Sequence, residues 1–191
     1  LLARFHAERP EVRIALHTMT KAEQLDALRE RRISVGFNRL VAPEPDLAIE
    51  TVLREPLVLA VPAGLPALNQ RGKPALNALP ALPLIIFPRA ISPALYDAIL
   101  SVFRDAGVTP EIGQQAIQMQ TIVNLVSAGL GVAWVPDSVR QFQRTGVVYR
   151  SVEVPAGLVL PGCETSLVWS AVQALPALDR FVTFLRAPLA F

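Results

Sequence analysis

The sequence predicts an α/β fold in which strands and helices alternate over a parallel sheet, divided into two lobes joined by two extended crossovers. The first observation behind this is Gln118–Pro136, QMQTIVNLVSAGLGVAWVP. Met119, Ile122, Val123 and Val126 recur there at i, i+3, i+4 and i+7, the spacing of one buried helix face. Gly129 stands where a left-handed C-cap needs positive φ, and Leu130 is placed to close that cap with an apolar contact. Gly131–Val135 is then a short β-prone run that Pro136 stops. Helix, tight turn and buried strand make half of a βαβ crossover. The second observation is that the same change of period recurs along the chain. The third is a pair of β runs, Leu57–Val61 and Ser166–Val172, placed to carry the chain from one lobe to the other and back.

Taken in order, Leu1, Leu2 and Phe5 form a helical stripe ended by Pro10, and Val12, Ile14 and Leu16 alternate as a strand does. Thr20-Lys21-Ala22-Glu23 fits a capping box, with Thr20 bonding the third helical amide and Glu23 reaching back. It opens a helix over Lys21–Glu30 that buries Leu25 and Leu28. Ile33–Phe37 is a second short strand, and Asn38-Arg39-Leu40 leaves it as a loop. Ala48–Leu53 and Leu57–Val61 read as two β runs separated by Arg54-Glu55-Pro56. A Pro/Gly-rich loop over Pro62–Pro74 and a short helix near Leu76–Leu79 lead to an apolar strand, Leu84–Phe87. Ser92 is expected to cap the next helix, with Pro93 at the first helical position, where no amide is needed. Leu95, Ile99, Val102 and Phe103 line its buried face, and Gly107 ends it. Glu111–Ala116 is a strand, Asp137-Ser138 starts a short helix to Gln143, and Val147–Val154 is extended. Beyond the loop Pro155–Gly162 and the strand Ser166–Val172, Pro176–Leu185 is a helix with Leu178, Phe181, Val182 and Leu185 on one side. The expected lobes are 1–57 with 166–191, and 58–165.

With 191 residues, 52% of them hydrophobic and 18% charged, the chain can bury one core or two small ones, and low complexity and disorder are excluded. The 17 prolines, about twice the ordinary share, fall between periodic segments rather than inside them. A net charge of +2, with Lys and Arg spread singly, is no nucleic-acid footprint. The single Cys163 cannot form an internal disulfide, which fits a reduced cytoplasmic protein. Neither His6 nor His17 stands in ligand spacing with it, so no metal and no cofactor is expected. The most apolar window, Leu57–Leu68, is interrupted by Pro62, Gly64 and Pro66, and no membrane span is expected. The chain starts without Met, already in helical register, and is expected to be a fragment.

No catalytic constellation stands out: G-x-S-x-G and a phosphate loop are missing, and Gly129-x-Gly131 lacks the third glycine of a dinucleotide fingerprint. Asp97, Asp105 and Asp137 read as solvated helix residues, so an enzyme is not expected. The informative features are the helix starts at Thr20 and Ser92, each following a strand. Open α/β sheets bind ligands beyond the carboxyl ends of their strands, and helix N-termini favour anions. Lys21, Arg39 and Arg89 lie in or beside those loops.

The segments "LLARFHAERPEVRIALHTMTKAEQLDALRERRISVGFNRL", "REPLVLAVPAGLP", "LIIFPRAISPALYDAIL" and "AIQMQTIVNLVSAGLGVAWVPDS" resemble, in this order, the effector-binding domain of LysR-type transcriptional regulators. The similarity runs from Leu1 to about Leu185 and is nearest to regulators of aromatic and chloroaromatic catabolism. It implies a two-lobed, periplasmic-binding-protein-like (type 2) α/β fold, each lobe a Rossmann-like mixed sheet flanked by helices. It also implies that an N-terminal DNA-binding region and the first strand and loop of the effector domain are missing.

The resemblance further implies that Thr20, Lys21, Arg39, Pro93, Leu95, Gln118 and Met119 line an inter-lobe cleft; with Asn38 and Arg89 from the neighbouring loops, these are the candidates for binding a small carboxylate, muconate- or benzoate-like. Relatives that bind muconate often carry an aromatic residue where this chain has Leu95. A homodimer or tetramer is expected, with promoter DNA and RNA polymerase engaged only through the missing N-terminal domain. The competing class is a solute-binding protein of a transport system, which shares the fold. The sequence upstream of Leu1 would separate the two, as a helix-turn-helix or as a signal segment.

Overall fold

Three of the helices, those starting at Lys21, Pro93 and Met119, end where a local cap signal stands, whereas the strands lie where their partners put them. The computed structural model describes residues 2–39, 41–65, 76, 82–153, 157–172 and 175–186. Its elements are α1 (Leu2–Glu8), α2 (Lys21–Arg29), β1 (Gly36–Arg39), β2 (Leu47–Pro62), β3 (Leu84–Ile86), α3 (Pro93–Asp105), β4 (Ile112–Gln115), α4 (Met119–Ser127), β5 (Ala133–Pro136), β6 (Val147–Arg150), β7 (Gly162–Ser170) and α5 (Pro176–Arg186). Short 3-10 turns cover Arg89–Ile91 and Asp137–Phe142.

Three helices close with the same double bond from the residues after the cap back into the last turn. In α4, Gly129 has φ 80° and the Leu130 amide donates to Leu125 O at 3.1 Å. In α3, Gly107 has φ 71° and the Val108 amide donates to Phe103 O at 2.8 Å. In α2 the left-handed position is held by Arg31, at φ 59°, with the Arg32 amide on Ala27 O at 2.8 Å. Gly131 is a steric requirement: a Cβ there would lie 2.2 Å from Pro83 O, because Val132 bonds alongside β3.

The described chain forms two compact units, Leu1–Leu53 with Glu164–Phe191, and Arg54–Cys163. In the first, β7 lies between β1 and β2, and β1 runs antiparallel to it from Gly36↔Val168 to Arg39↔Thr165. Successive residues of β7 serve different cores. Leu167 packs with Phe5 of α1 and Leu178, Phe181, Val182 and Leu185 of α5, while Val168 packs with Leu28 of α2 and Leu47. Side chains alternate across a strand, so α1 and α5 cover one face and α2 the other. Phe5 and Phe181 meet edge to face at 4.9 Å, an arrangement that the ring quadrupoles favour.

In the second unit, β2 runs antiparallel to β5 from Leu57↔Pro136 to Ala60↔Ala133, and antiparallel to β6 from Leu59↔Arg150 to Pro62↔Val147. β3 is parallel to β4, from Leu84↔Ile112 to Ile86↔Gln115, and Leu84 bridges in parallel to Val132. Thus α3 links β3 to β4, and α4 links β4 to the chain entering β5, as βαβ crossovers. The pairs β1–β7, β2–β5 and β2–β6 are antiparallel, so among the described residues the arrangement is mixed, and the simple parallel sheet expected from alternation alone does not form.

The strand expectations need further correction. Val12, Ile14 and Leu16 pair with no strand among the described residues, and Leu16 is 77% exposed. Alternation sets a side-chain period, but a strand also needs a hydrogen-bonding neighbour. β1 lies at Gly36–Arg39 rather than Ile33–Phe37, because its ladder with β7 starts at Gly36. Asn38 and Arg39 are therefore strand residues and not a loop. β2 is one strand of sixteen residues, not two runs. Pro56 stands just before Leu57, where the ladder with β5 begins, and before Leu59, where that with β6 begins, so its absent amide is missing from neither. β7 starts at Gly162, four residues before the expected Ser166. Most of the Pro62–Pro74 loop and the Leu76–Leu79 helix lie outside the described residues; Leu76 itself is buried.

Candidate functional site

In the first unit the candidates gather at the start of α2 and on β1. The capping box forms as expected: the Glu23 amide donates to Thr20 Oγ1 at 3.3 Å, and the Thr20 amide and hydroxyl donate to Glu23 Oε2 at 2.7 and 2.8 Å. The backbone bond to Thr20, then the hydroxyl bond, hold the Glu23 carboxyl below its ordinary value. The helix thus carries its own carboxylate at this end, which competes with any anion for the dipole. Lys21 is half-buried, and desolvation pulls its ammonium below the usual lysine value. Arg39 is exposed at the end of β1. Asn38 is buried and donates from Nδ2 to Gln24 Oε1 at 3.2 Å. Gln24 was not among the residues singled out from sequence, since its partner lies 14 positions away.

In the second unit the parallel pair β3 and β4 sets the geometry. Ile86 is in register with Gln115 and its carbonyl accepts from the Ala116 amide at 3.1 Å, so both strands end at one edge. From that edge the chain runs to Ser92 and α3, and to Gln118 and α4. Neither helix has an acidic residue in its first turn, and neither N-cap side chain bonds its helix. Ser92 holds the N-cap position but does not cap with its hydroxyl, contrary to expectation: its backbone, at φ −154° and ψ 81°, is not that of a capping serine. Its Oγ is buried without a hydrogen-bond partner among the described residues. Pro93 occupies the first helical position as expected, and Gln118 is exposed at the α4 cap. Two helix starts without side-chain caps thus leave backbone amides at one parallel edge, where the helix dipoles favour negative charge.

Three candidates have other commitments. Arg89 makes a bidentate pair with Asp97 of α3, Nε to Oδ1 at 2.8 Å and Nη2 to Oδ2 at 2.6 Å. Leu95 is 7% exposed and belongs to the core. Met119 is half-buried, one turn before the buried stripe Ile122, Val123 and Val126. Asp105 and Asp137 pair with Arg104 and Arg140, respectively. A further buried carboxylate escaped the sequence reading: Glu55, 8% exposed, accepts the Ser138 amide on Oε2 at 2.7 Å. Among the described residues, no group of His, Cys, Asp and Glu could hold a metal ion, and no helix is long and apolar enough to cross a membrane.

A family model described as the LysR substrate binding domain matches residues 1–190. The HTH-type transcriptional regulator IlvR of Caulobacter vibrioides is 36% identical over 96% of this chain and 61% of its own length. Among solved structures, the LysR-family transcriptional regulator CbnR is 28% identical, with a TM-score of 0.82 over 97% of this chain and 62% of its own. The BenM effector-binding domain with its effector benzoate has a TM-score of 0.77 at 24% identity, over 97% of this chain and 82% of its own. The latter is a likeness of fold. The chain spans about half to three-fifths of the length of the curated relatives it matches.

Proposed function

Because the chain belongs to the LysR substrate-binding-domain family, we propose that it is the effector-sensing regulatory domain of a helix-turn-helix transcription factor, and that its effector is a small carboxylate. The observation that carries the ligand class is the pair of open helix starts, Ser92-Pro93 and Gln118-Met119, at the common edge of β3 and β4. Backbone amides there favour an anion, and neither first turn supplies an acid of its own. We assign Thr20, Lys21, Asn38 and Arg39 of the first unit, and Arg89, Pro93, Leu95, Gln118 and Met119 of the second, to effector recognition. Lys21 and Arg39 supply positive charge. A neutral sugar would want stacking aromatics, which these residues do not offer.

An aromatic or ring-cleavage carboxylate, benzoate- or muconate-like, fits this assignment, and the BenM domain takes benzoate as its effector. Leu95 and Met119 would supply the apolar contacts. As part of a promoter-binding regulator the domain would act in the cytoplasm as a dimer or tetramer, with DNA and RNA polymerase engaged through other parts of the protein. Relatives that are themselves HTH-type regulators support this over a transport role.

The test is a titration with benzoate, cis,cis-muconate and chlorinated analogues against glucose and alanine. A carboxylate should bind and raise the melting temperature, by about 2.7 kcal/mol of added stability at a hundredfold excess over Kd. If only the neutral compounds shift the transition, or if Lys21→Ala with Arg39→Ala leaves carboxylate binding unchanged, the assignment is wrong.

A further inference from the structure

We infer that Gln24 is a positioning residue for effector recognition, its side-chain amide fixing the start of α2 against β1 so that Thr20 and Lys21 are presented together with Asn38 and Arg39. The inference rests on the carboxylate reading above. Gln24 is half-buried and reaches both ways. Its Nε2 donates to Met19 O, the carbonyl just before the capping box, at 3.5 Å, the outer limit of a hydrogen bond. Its Oε1 accepts from Asn38 Nδ2 at 3.2 Å.

The direction of this relay is fixed by chemistry. A backbone carbonyl can only accept, so the end of Gln24 facing Met19 must be the NH2 group and the end facing Asn38 must be the oxygen. Asn38 must in turn offer its own NH2 group to Gln24, which leaves its Oδ1 and one N–H for other partners. A buried amide held at one end loses the rotational freedom that would otherwise cost binding energy at the moment of recognition.

Gly36 is the other half of the device. A Cβ at position 36 would sit 2.5 Å from Gln24 Oε1 and 3.4 Å from Asn38 Nδ2, so the relay passes through space that only glycine leaves open. Gly36 is in the strand ladder without a left-handed φ, so Gly36→Ala adds no backbone strain. It should push aside the flexible end of Gln24 and little else.

The experiment compares Gln24→Ala, Gly36→Ala and the double variant by calorimetric titration with benzoate and cis,cis-muconate, alongside thermal melts without ligand. Each single variant should weaken the carboxylate that binds by about tenfold, and the double variant should be no worse than either, since both break one relay. Gln24→Glu, which can still accept from Asn38 but meets Met19 O with like charge, should fall between. An unchanged Kd in the single variants, with or without a lower melting temperature, would overturn the inference. A ligand-free readout separates this from the effector reading: amide hydrogen exchange should quicken in Thr20–Gln24 and Gly36–Arg39 and nowhere else. If neither carboxylate binds the unaltered protein, the effector reading fails and this exchange decides whether Gln24 positions the two segments. No change in either segment would sink the idea.

Discussion

The carboxylate of Glu55 and the backbone amide of Ser138 meet at 2.7 Å across 83 positions of sequence. Ser138 lies at the start of the 3-10 turn Asp137–Phe142, whose first amides have no partner within the turn, and the glutamate arrives from the middle of β2 to satisfy one of them. Glu55→Ala should destabilise the protein by about 2 kcal/mol, the range of a lost charge-assisted bond at a buried site. Glu55→Gln, which keeps an acceptor, should recover much of that. Urea denaturation monitored by Trp fluorescence would measure both, and equal stability of all three proteins would refute the role.

Arg31 and Gly131 make opposite predictions about backbone. Arg31 adopts φ 59° at a cap position where glycine is comfortable, so Arg31→Gly should raise stability by about 0.5–1 kcal/mol, the relief of left-handed strain less the added freedom of the unfolded chain. Gly131→Ala should lower it by more than about 2 kcal/mol, because its Cβ would overlap Pro83 O, a backbone atom that cannot swing away. Paired denaturation curves would check both signs.

Among the described residues, four carboxyls lie below their ordinary values: Glu23 through the Thr20 amide, Glu50 through Arg186, Asp46 through Arg29, and Asp97 through Arg89. A carboxyl whose folded value is depressed contributes stability above its unfolded value and loses that contribution as pH falls through the folded one. The melting temperature should therefore hold steady down to the ordinary carboxylate range, about pH 4–4.5, and decline below it. Thr20→Ala should make that decline shallower. Calorimetry from pH 7 to pH 3 would show it, and a profile identical to that of the unaltered protein would count against the capping box as a contributor.

Arg89 is held by Asp97, which withholds its guanidinium from a bound anion. Asp97→Ala should tighten carboxylate binding by about threefold at low salt, an effect that shrinks as added chloride screens the released charge. Titration at two ionic strengths would test this. Weaker binding would place the pair, rather than the free cation, in the recognition surface.

Much of the fold was legible because its signals are local. The Thr20 capping box, Pro93 at the start of α3, and the glycines after α3 and α4 each fix a helix end within a few residues of themselves. The strands were less legible. The alternation of Val12, Ile14 and Leu16 is as regular as that of a paired strand, and only a neighbour could decide the matter. Asn38 and Arg39 are in β1 because Ser166 and Thr165 face them, more than 120 positions on. The same reason hid Gln24 and Glu55, ordinary polar residues until the partner is known. Ser92 misled in the other direction, since its residue type promises a cap that its backbone angles do not form.

The division of labour along β7 bears on how this sequence can change. Leu167 and Val168 feed separate hydrophobic clusters on the two faces of one strand, so neither face can serve as a solvent side that absorbs an error. Deleting one residue between Cys163 and Leu167 would carry the fully buried Cys163 side chain to the opposite face, whereas substitutions of like volume would leave both clusters intact. The first unit therefore has one reading frame in space as well as in sequence, and length variation among its descendants should collect in the loop before Gly162 rather than in the strand.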